Sequence, residues 1–220
     1  MKLQALGGVS QYNAGTISLR CPHCRHEGAF ARTIDINDIG WVATVINAQG
    51  NKAGGQVWAG TRVCPNPECR GVVSIHNHPA LGRRTYPPET IDFDATALPE
   101  RILSSLEEAV SCHAAGAYRA TALMVRRILE ELCEDRQATG KNLKDRLGNV
   151  GSNIIVPKEL LDAADELRLL GNDAAHIEAK SYDDIGEAEA SLAIELAKEL
   201  LKAVYQYQSL VDRLRGLKKQ

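Results

Sequence analysis

Two close cysteine pairs constrain this chain more than any other feature. Cys21-Pro22-His23-Cys24 holds its thiols two residues apart, Cys64-Pro65-Asn66-Pro67-Glu68-Cys69 four apart, and 39 residues separate the pairs. Each pair follows a β-like run, Ile17 to Arg20 (ISLR) before the first and Gln56 to Val63 (QVWAGTRV) before the second. A strand feeding a tight cysteine turn is a metal knuckle, and two knuckles together supply four thiolates. Zn2+ suits that set, because its filled d shell imposes no geometry and it accepts soft ligands in a tetrahedron. Cys21, Cys24, Cys64 and Cys69 are therefore the expected ligands of a structural zinc, with no position left for a reactive water. The competing reading is four incidental thiols. His23 and His26 are expected to flank the site, and His76 and His78 to be surface residues.

The stretches around the knuckles are β-rich. Trp41 to Ile46 (WVATVI) and Gln56 to Val63 flank a Gly- and Asn-containing turn over 49–55, and Gly71 to Ile75 (GVVSI) reads as a further strand. Residues 1–16 suggest a loose start or an edge strand. Residues 1–80 thus read as a small antiparallel β zinc-ribbon module, a size that buries little apolar surface and needs a staple.

Residues 81–98 carry Gly82, Pro87 and Pro88 and read as an extended linker. Within it, Arg83 and Arg84 beside Tyr86 could meet a phosphate and a base, or could simply be solvated.

Residues 99–220 read as an all-α up-and-down bundle. Ile102, Leu106, Ala109, Val110 and His113 share one helical face, and Gly116 ends that helix. Thr121, Met124, Val125, Ile128 and Leu132 align on the next, so a tight hairpin follows. Arg126 has Glu130 four residues on as its expected ion partner. Cys112 and Cys133 lack partners at ligand spacing and read as buried small side chains. A short helix over 141–147 follows. Asp183 or Asp184 is expected to cap a last helix from Gly186 to about Arg215, with Leu192, Leu196, Leu200, Ala203, Tyr207, Val211 and Leu214 down one side. Its end (Tyr205, Tyr207, Leu210, Leu214) is the expected dimer surface.

Between them lies Leu160 to His176 (LLDAADELRLLGNDAAH), an amphipathic helix opened by Pro157. Arg168, Asn172 and His176 follow at i, i+4 and i+8, one slanting stripe whose ends are ~12 Å apart on an unbroken helix. A cation, an amide and an imidazole in a row either meet a phosphate or fix the helix to its neighbour. In the second case Gly171-Asn172 ends the helix and Arg168 pairs with Asp165 or with a carboxylate of the last helix.

The net charge of −2 excludes a global basic field, so any nucleic-acid contact must come from local patches. Residues 1–98 carry nine Lys/Arg against seven Asp/Glu, and residues 99–220 carry 17 against 21. No run approaches ~18 apolar residues, so no membrane span is expected. The first fifteen residues lack the apolar core of a secretory signal. A cytoplasmic, reducing setting is expected, in which thiols bind metal sooner than they form disulfides.

The combination CPHC, CPNPEC, TYPP, AYRATALMVRRILE and LRLLGNDAAH resembles the DUF4145 family, whose helical part belongs to the HEPN superfamily. The resemblance implies an α+β chain, a zinc ribbon joined to a HEPN-like bundle, often dimeric, in prokaryotic defence or nucleic-acid-linked settings. HEPN ribonucleases use an Arg and a His with four to six residues between them, the Arg usually followed by a polar residue, in a metal-independent site shared by two protomers. Here Arg168 matches the arginine and His176 the histidine, with seven residues between them and Leu169 after the arginine.

Two functions follow as expectations. In a binding module, the ribbon and the bundle hold RNA, DNA or a defence-system protein. In an endoribonuclease, His176 takes the 2′-hydroxyl proton or protonates the leaving oxygen, Arg168 offsets charge on the phosphorane-like transition state and Asn172 orients the phosphate or the imidazole.

Overall fold

The β-rich runs of the first half do form strands in a computed structural model of the chain, which describes residues 2–5, 7–32, 38–46, 52–78, 82–150, 156–175 and 185–217. The arrangement is α+β, with antiparallel strands first and helices after. The chain divides into two units, Met1–Glu89 and Thr90–Gln220. Among the described residues no helix is long and apolar enough to cross a membrane.

The first unit holds β1 (Lys2–Ala5), β2 (Ser10–Tyr12), β3 (Ile17–Arg20), β4 (Glu27–Phe30), β5 (Asp38–Ile46), β6 (Lys52–Val63), β7 (Val72–His78) and β8 (Gly82–Tyr86). The larger sheet runs β1-β5-β6-β7-β8, with β2 also paired to β5, and β3-β4 forms a small second sheet; every pairing is antiparallel. The β6 ladder begins at Lys52, which faces Ile46, so residues read as turn are strand. Cross-strand pairing overrides the weak local preference of Gly54 and Gly55. Gly82–Tyr86, inside the stretch read as linker, is an edge strand whose register runs from Ser74 opposite Tyr86 to His78 opposite Gly82.

One face of this unit buries Trp58, Val73 and Ile75 against Ile17 and Phe30, with the buried Cys21 and Cys64 in the same cluster. Beside it Arg62 and Asp38, both fully buried, form a bidentate pair: Nη1 donates to Oδ1 at 2.7 Å and Nη2 to Oδ2 at 2.9 Å. Arg62 also donates to the carbonyls of Thr61 and Gly15, and the Ala14 N–H donates to Asp38. Burial alone would raise the Asp38 pKa; the Arg62 and Ala14 hydrogen bonds outweigh it and hold the carboxyl below its usual range.

The second unit opens with α1 (Glu100–Ala114) and α2 (Tyr118–Asp135), turned by Gly116 at φ +76°. Arg101, at the start of α1, reaches Glu131 and Glu134, near the end of α2, at 3.2 and 3.0 Å, so the two helices run antiparallel as expected. Ile102, Leu106, Val110, Val125, Ile128 and Leu132 are in the core. Cys133 is buried and Cys112 half-buried, and the His113 ring packs 5.7 Å from that of Tyr118. Then come α3 (Leu143–Val150) and α4 (Lys158–Ala175), which continues past Gly171-Asn172 instead of ending there. Last are α5 (Glu187–Leu201), a π-helical stretch (Lys202–Gln206) and α6 (Tyr207–Leu217), one continuous rod of the expected length.

The last helix departs from expectation in three places. Its N-cap is Gly186, whose N–H donates to Glu189 at 3.0 Å, while Asp183 and Asp184 lie outside the described residues. Leu192 is 60% exposed, because α5 buries the side carrying Ala190, Ala193, Ile194 and Ala197, where small side chains let helices approach. Tyr205, expected on the exposed end, is buried: its hydroxyl donates to Asp135 at 2.7 Å and Arg136 lies 4.2 Å over its ring. The π-helical stretch widens the turn, and Ala203 to Gln206 all face inward.

Candidate metal centre

Strand geometry brings the two cysteine turns together. The first Cys N–H of each turn donates to the carbonyl two residues past the second Cys: Cys21 to His26 at 2.8 Å, Cys64 to Gly71 at 2.9 Å. The residue just after each second Cys, Arg25 or Arg70, has positive φ (65° and 49°). Two turns of unequal length thus close in the same way and point their thiols inward. All four sulfurs lie within 4.8 Å of one another, with Cys21–Cys69 at 3.9 Å and Cys24–Cys64 at 3.7 Å. Both of these pairs join opposite turns. A disulfide needs ~2.0 Å, so these are free thiols, grouped closely enough that they could hold one metal ion.

Two N–H donors point at the sulfurs and favour charge on them, while burial opposes it. The Gly71 N–H points at Cys69 Sγ from 3.4 Å and Asn66 Nδ2 at Cys24 Sγ from 3.7 Å. Cys24 is lowered to about 7, first by a hydrogen bond from the His26 backbone, while burial pushes Cys64 up to about 12. A cation at the centre of the four would remove that difference, because coordinated thiols deprotonate.

His23 and His26 flank the cluster, as the spacing predicts. The His23 Nε2 lies 2.9 Å from the Val72 carbonyl, and its ring sits where a Cβ on Gly71 would be, 2.4 Å from His23 Cδ2. Glycine there lets one turn close over the other. Asn66 was not singled out from the sequence, yet it organises the second turn. Its carbonyl accepts from the Cys69 and Arg70 N–H groups, and its side chain accepts from Glu68. The signal was an Asn between two prolines, a residue that bonds its own backbone two positions on.

The second group of candidate residues sits on α4. Arg168 Nε donates to Asp165 at 2.7 Å; Arg168 first, then Lys144 at 2.9 Å, holds that carboxyl below its ordinary range. Asn172 accepts from Arg126 of α2, which also reaches the Arg168 carbonyl at 3.4 Å and pairs with Glu130 at 3.1 Å. His176 lies outside the described residues. Arg168 and Asn172 are therefore one turn apart on one helix, with Arg168 Nε and Asn172 Oδ1 each engaged inside the second unit. The reach of Arg126 to Asn172 was invisible in the sequence, because 46 positions separate them.

No curated protein and no solved structure matches the chain. Residues 107–219, just over half of it and all within the helical unit, match the family described as Domain of unknown function (DUF4145). Both AYRATALMVRRILE and LRLLGNDAAH, the segments joined by Arg126 and Asn172, fall in that match, and the chain belongs to the DUF4145 family.

Proposed function

We propose that this protein is a cytoplasmic nucleic-acid-binding module, a zinc-ribbon-like β unit followed by a HEPN-like bundle that pairs two copies. The observation that carries this reading is how charge divides between the units. Residues 1–89 hold nine Lys/Arg against five Asp/Glu, a net +4, while residues 90–220 hold 17 against 23, a net −6. A polyanion is attracted to the first and repelled by the second.

Zinc fits the thiols. A Zn–S distance of ~2.3 Å gives tetrahedral edges of about 3.8 Å, beside observed separations of 3.9 and 3.7 Å. Four sulfurs close the coordination shell, so the ion's part is to staple the turns. The α4 residues support binding over catalysis, since Arg168 holds Asp165 and Asn172 accepts from Arg126. The resemblance to HEPN proteins adds a prokaryotic defence or nucleic-acid-processing setting.

The test measures binding of the full chain to RNA and DNA, single- and double-stranded, across a salt series. Affinity that falls with salt supports the reading; no binding at low salt to any of them overturns it. Each RNA is also incubated under chelator. Intact RNA is expected, whereas cleavage lost in His176→Ala would make the protein a metal-independent endoribonuclease.

A further inference from the structure

The outward face of the larger sheet carries a groove unrelated to the cysteines. Residues directly opposite in a ladder share a face. Ile39, Ala59, His76 and Arg84 stand opposite one another across β5, β6, β7 and β8, and Thr61, Ser74 and Tyr86 form the next row. These residues line an open groove of about 460 Å3. Among the described residues no carboxylate lines it, and the charged side chain there is Arg84, exposed at its edge.

Aromatic rings stand beside that cation. Tyr86 is 76% exposed, a large apolar surface held on a paired strand. The His76 ring lies 5.6 Å from Trp41, tilted by 44°, so it is braced from one side. Ile39 adds an exposed apolar floor. Neighbouring Arg83 is used otherwise, donating to the Ser18 carbonyl at 2.8 Å. The two adjacent arginines thus divide their work: one ties β8 to β3 and the other faces the groove.

We infer that this groove binds single-stranded nucleic acid, with bases stacking on Tyr86 and His76 and a phosphate paired with Arg84. The inference rests on the nucleic-acid reading above and names the site for it. An exposed ring and a half-buried one on a paired sheet beside a cation suit an unpaired strand, because every base has a π-face and every step a phosphate. A duplex hides its base faces, so it gains only the phosphate contact. The lack of acid among the described lining residues and the +4 of the unit favour a polyanion over a cationic partner.

The experiment uses fluorescence anisotropy of the full chain with labelled oligouridine, oligothymidine and a duplex of the same length. Tyr86→Ala is expected to weaken binding of both single strands about 5- to 100-fold, and Tyr86→Phe to restore most of it. Arg84→Ala should lower the slope of log affinity against log salt by about 0.7. Arg215→Ala, on the helical unit, is the charge control and should change nothing. Tyr86→Leu serves if the alanine variant folds poorly, and ultraviolet crosslinking should map bound strand to Tyr86 or His76. Single-strand binding unchanged in the Tyr86 and Arg84 variants overturns the groove and leaves the nucleic-acid reading standing. Tighter binding of duplex or of a mononucleotide also overturns it. Wild-type protein that binds no nucleic acid overturns both. Equal affinity for RNA and DNA is expected, since stacking and phosphate contact do not sense the 2′-hydroxyl.

Discussion

Arg126 on α2 donates to the Asn172 side chain on α4, and this one contact joins the two segments that mark the family. It is possible because of the residue beside it. A Cβ on Gly171 would stand 2.5 Å from Arg126 Cβ and 3.1 Å from the Ala122 carbonyl, so the helices cross where one of them has no side chain. Asn172 therefore acts first as a fastener between helices.

That crossing makes the first prediction. Gly171→Ala gains helix propensity, about 1 kcal/mol, but overpacks a contact against backbone and Cβ, which costs about 1–3 kcal/mol. A net loss is expected, read as a lower thermal midpoint. Arg126→Ala removes the donor from Asn172 and should cost about 1–3 kcal/mol. Unchanged melting in both would show that the helices do not need this contact.

The Arg62–Asp38 pair makes the second. Each variant that breaks it, Asp38→Asn or Arg62→Met, leaves a buried group without its counterpart and should destabilise the protein by about 3–5 kcal/mol in chemical denaturation. The carboxyl is held below its unfolded value of about 3.9. Its contribution is therefore complete above that pH and fades as pH falls through the lower folded value. The Asp38→Asn variant should lack this acid-side dependence.

Metal analysis makes the third. One zinc per chain is expected, lost on treatment with a strong chelator and from Cys21→Ser, Cys24→Ser, Cys64→Ser or Cys69→Ser. Because Cys21 and Cys64 lie in the core of the β unit, loss of metal should unfold that unit while helical circular dichroism persists. A chain that keeps its strands and its stability with no metal would contradict the staple.

The end of the last helix makes the fourth. Tyr207, Leu210, Leu214 and Leu217 recur at three, four and three residues and are 46, 52, 58 and 73% exposed. Such a seam suits the same helix of a second copy. Light scattering should find a dimer that Leu210→Glu with Leu214→Glu converts to monomer. A wild-type monomer at micromolar concentration would remove this surface as the dimer contact.

What the sequence alone determined was local. Cysteine spacing named the four thiols, helical periodicity outlined the α1–α2 hairpin, and the length of the last helix followed from its apolar repeat, because each depends on residues within a turn or two. Tertiary structure decided the rest. The edge strand β8 looked like linker because Gly82 to Tyr86 has no apolar alternation and is held by β7. Tyr205 turned inward because a π-helical stretch shifts the face that periodicity assigns. Arg168 took the nearer of its two expected carboxylates, Asp165, and Asn172 was met by an arginine from another helix. Bonds between residues tens of positions apart are chosen by how whole elements pack, and spacing along the chain holds no record of that choice.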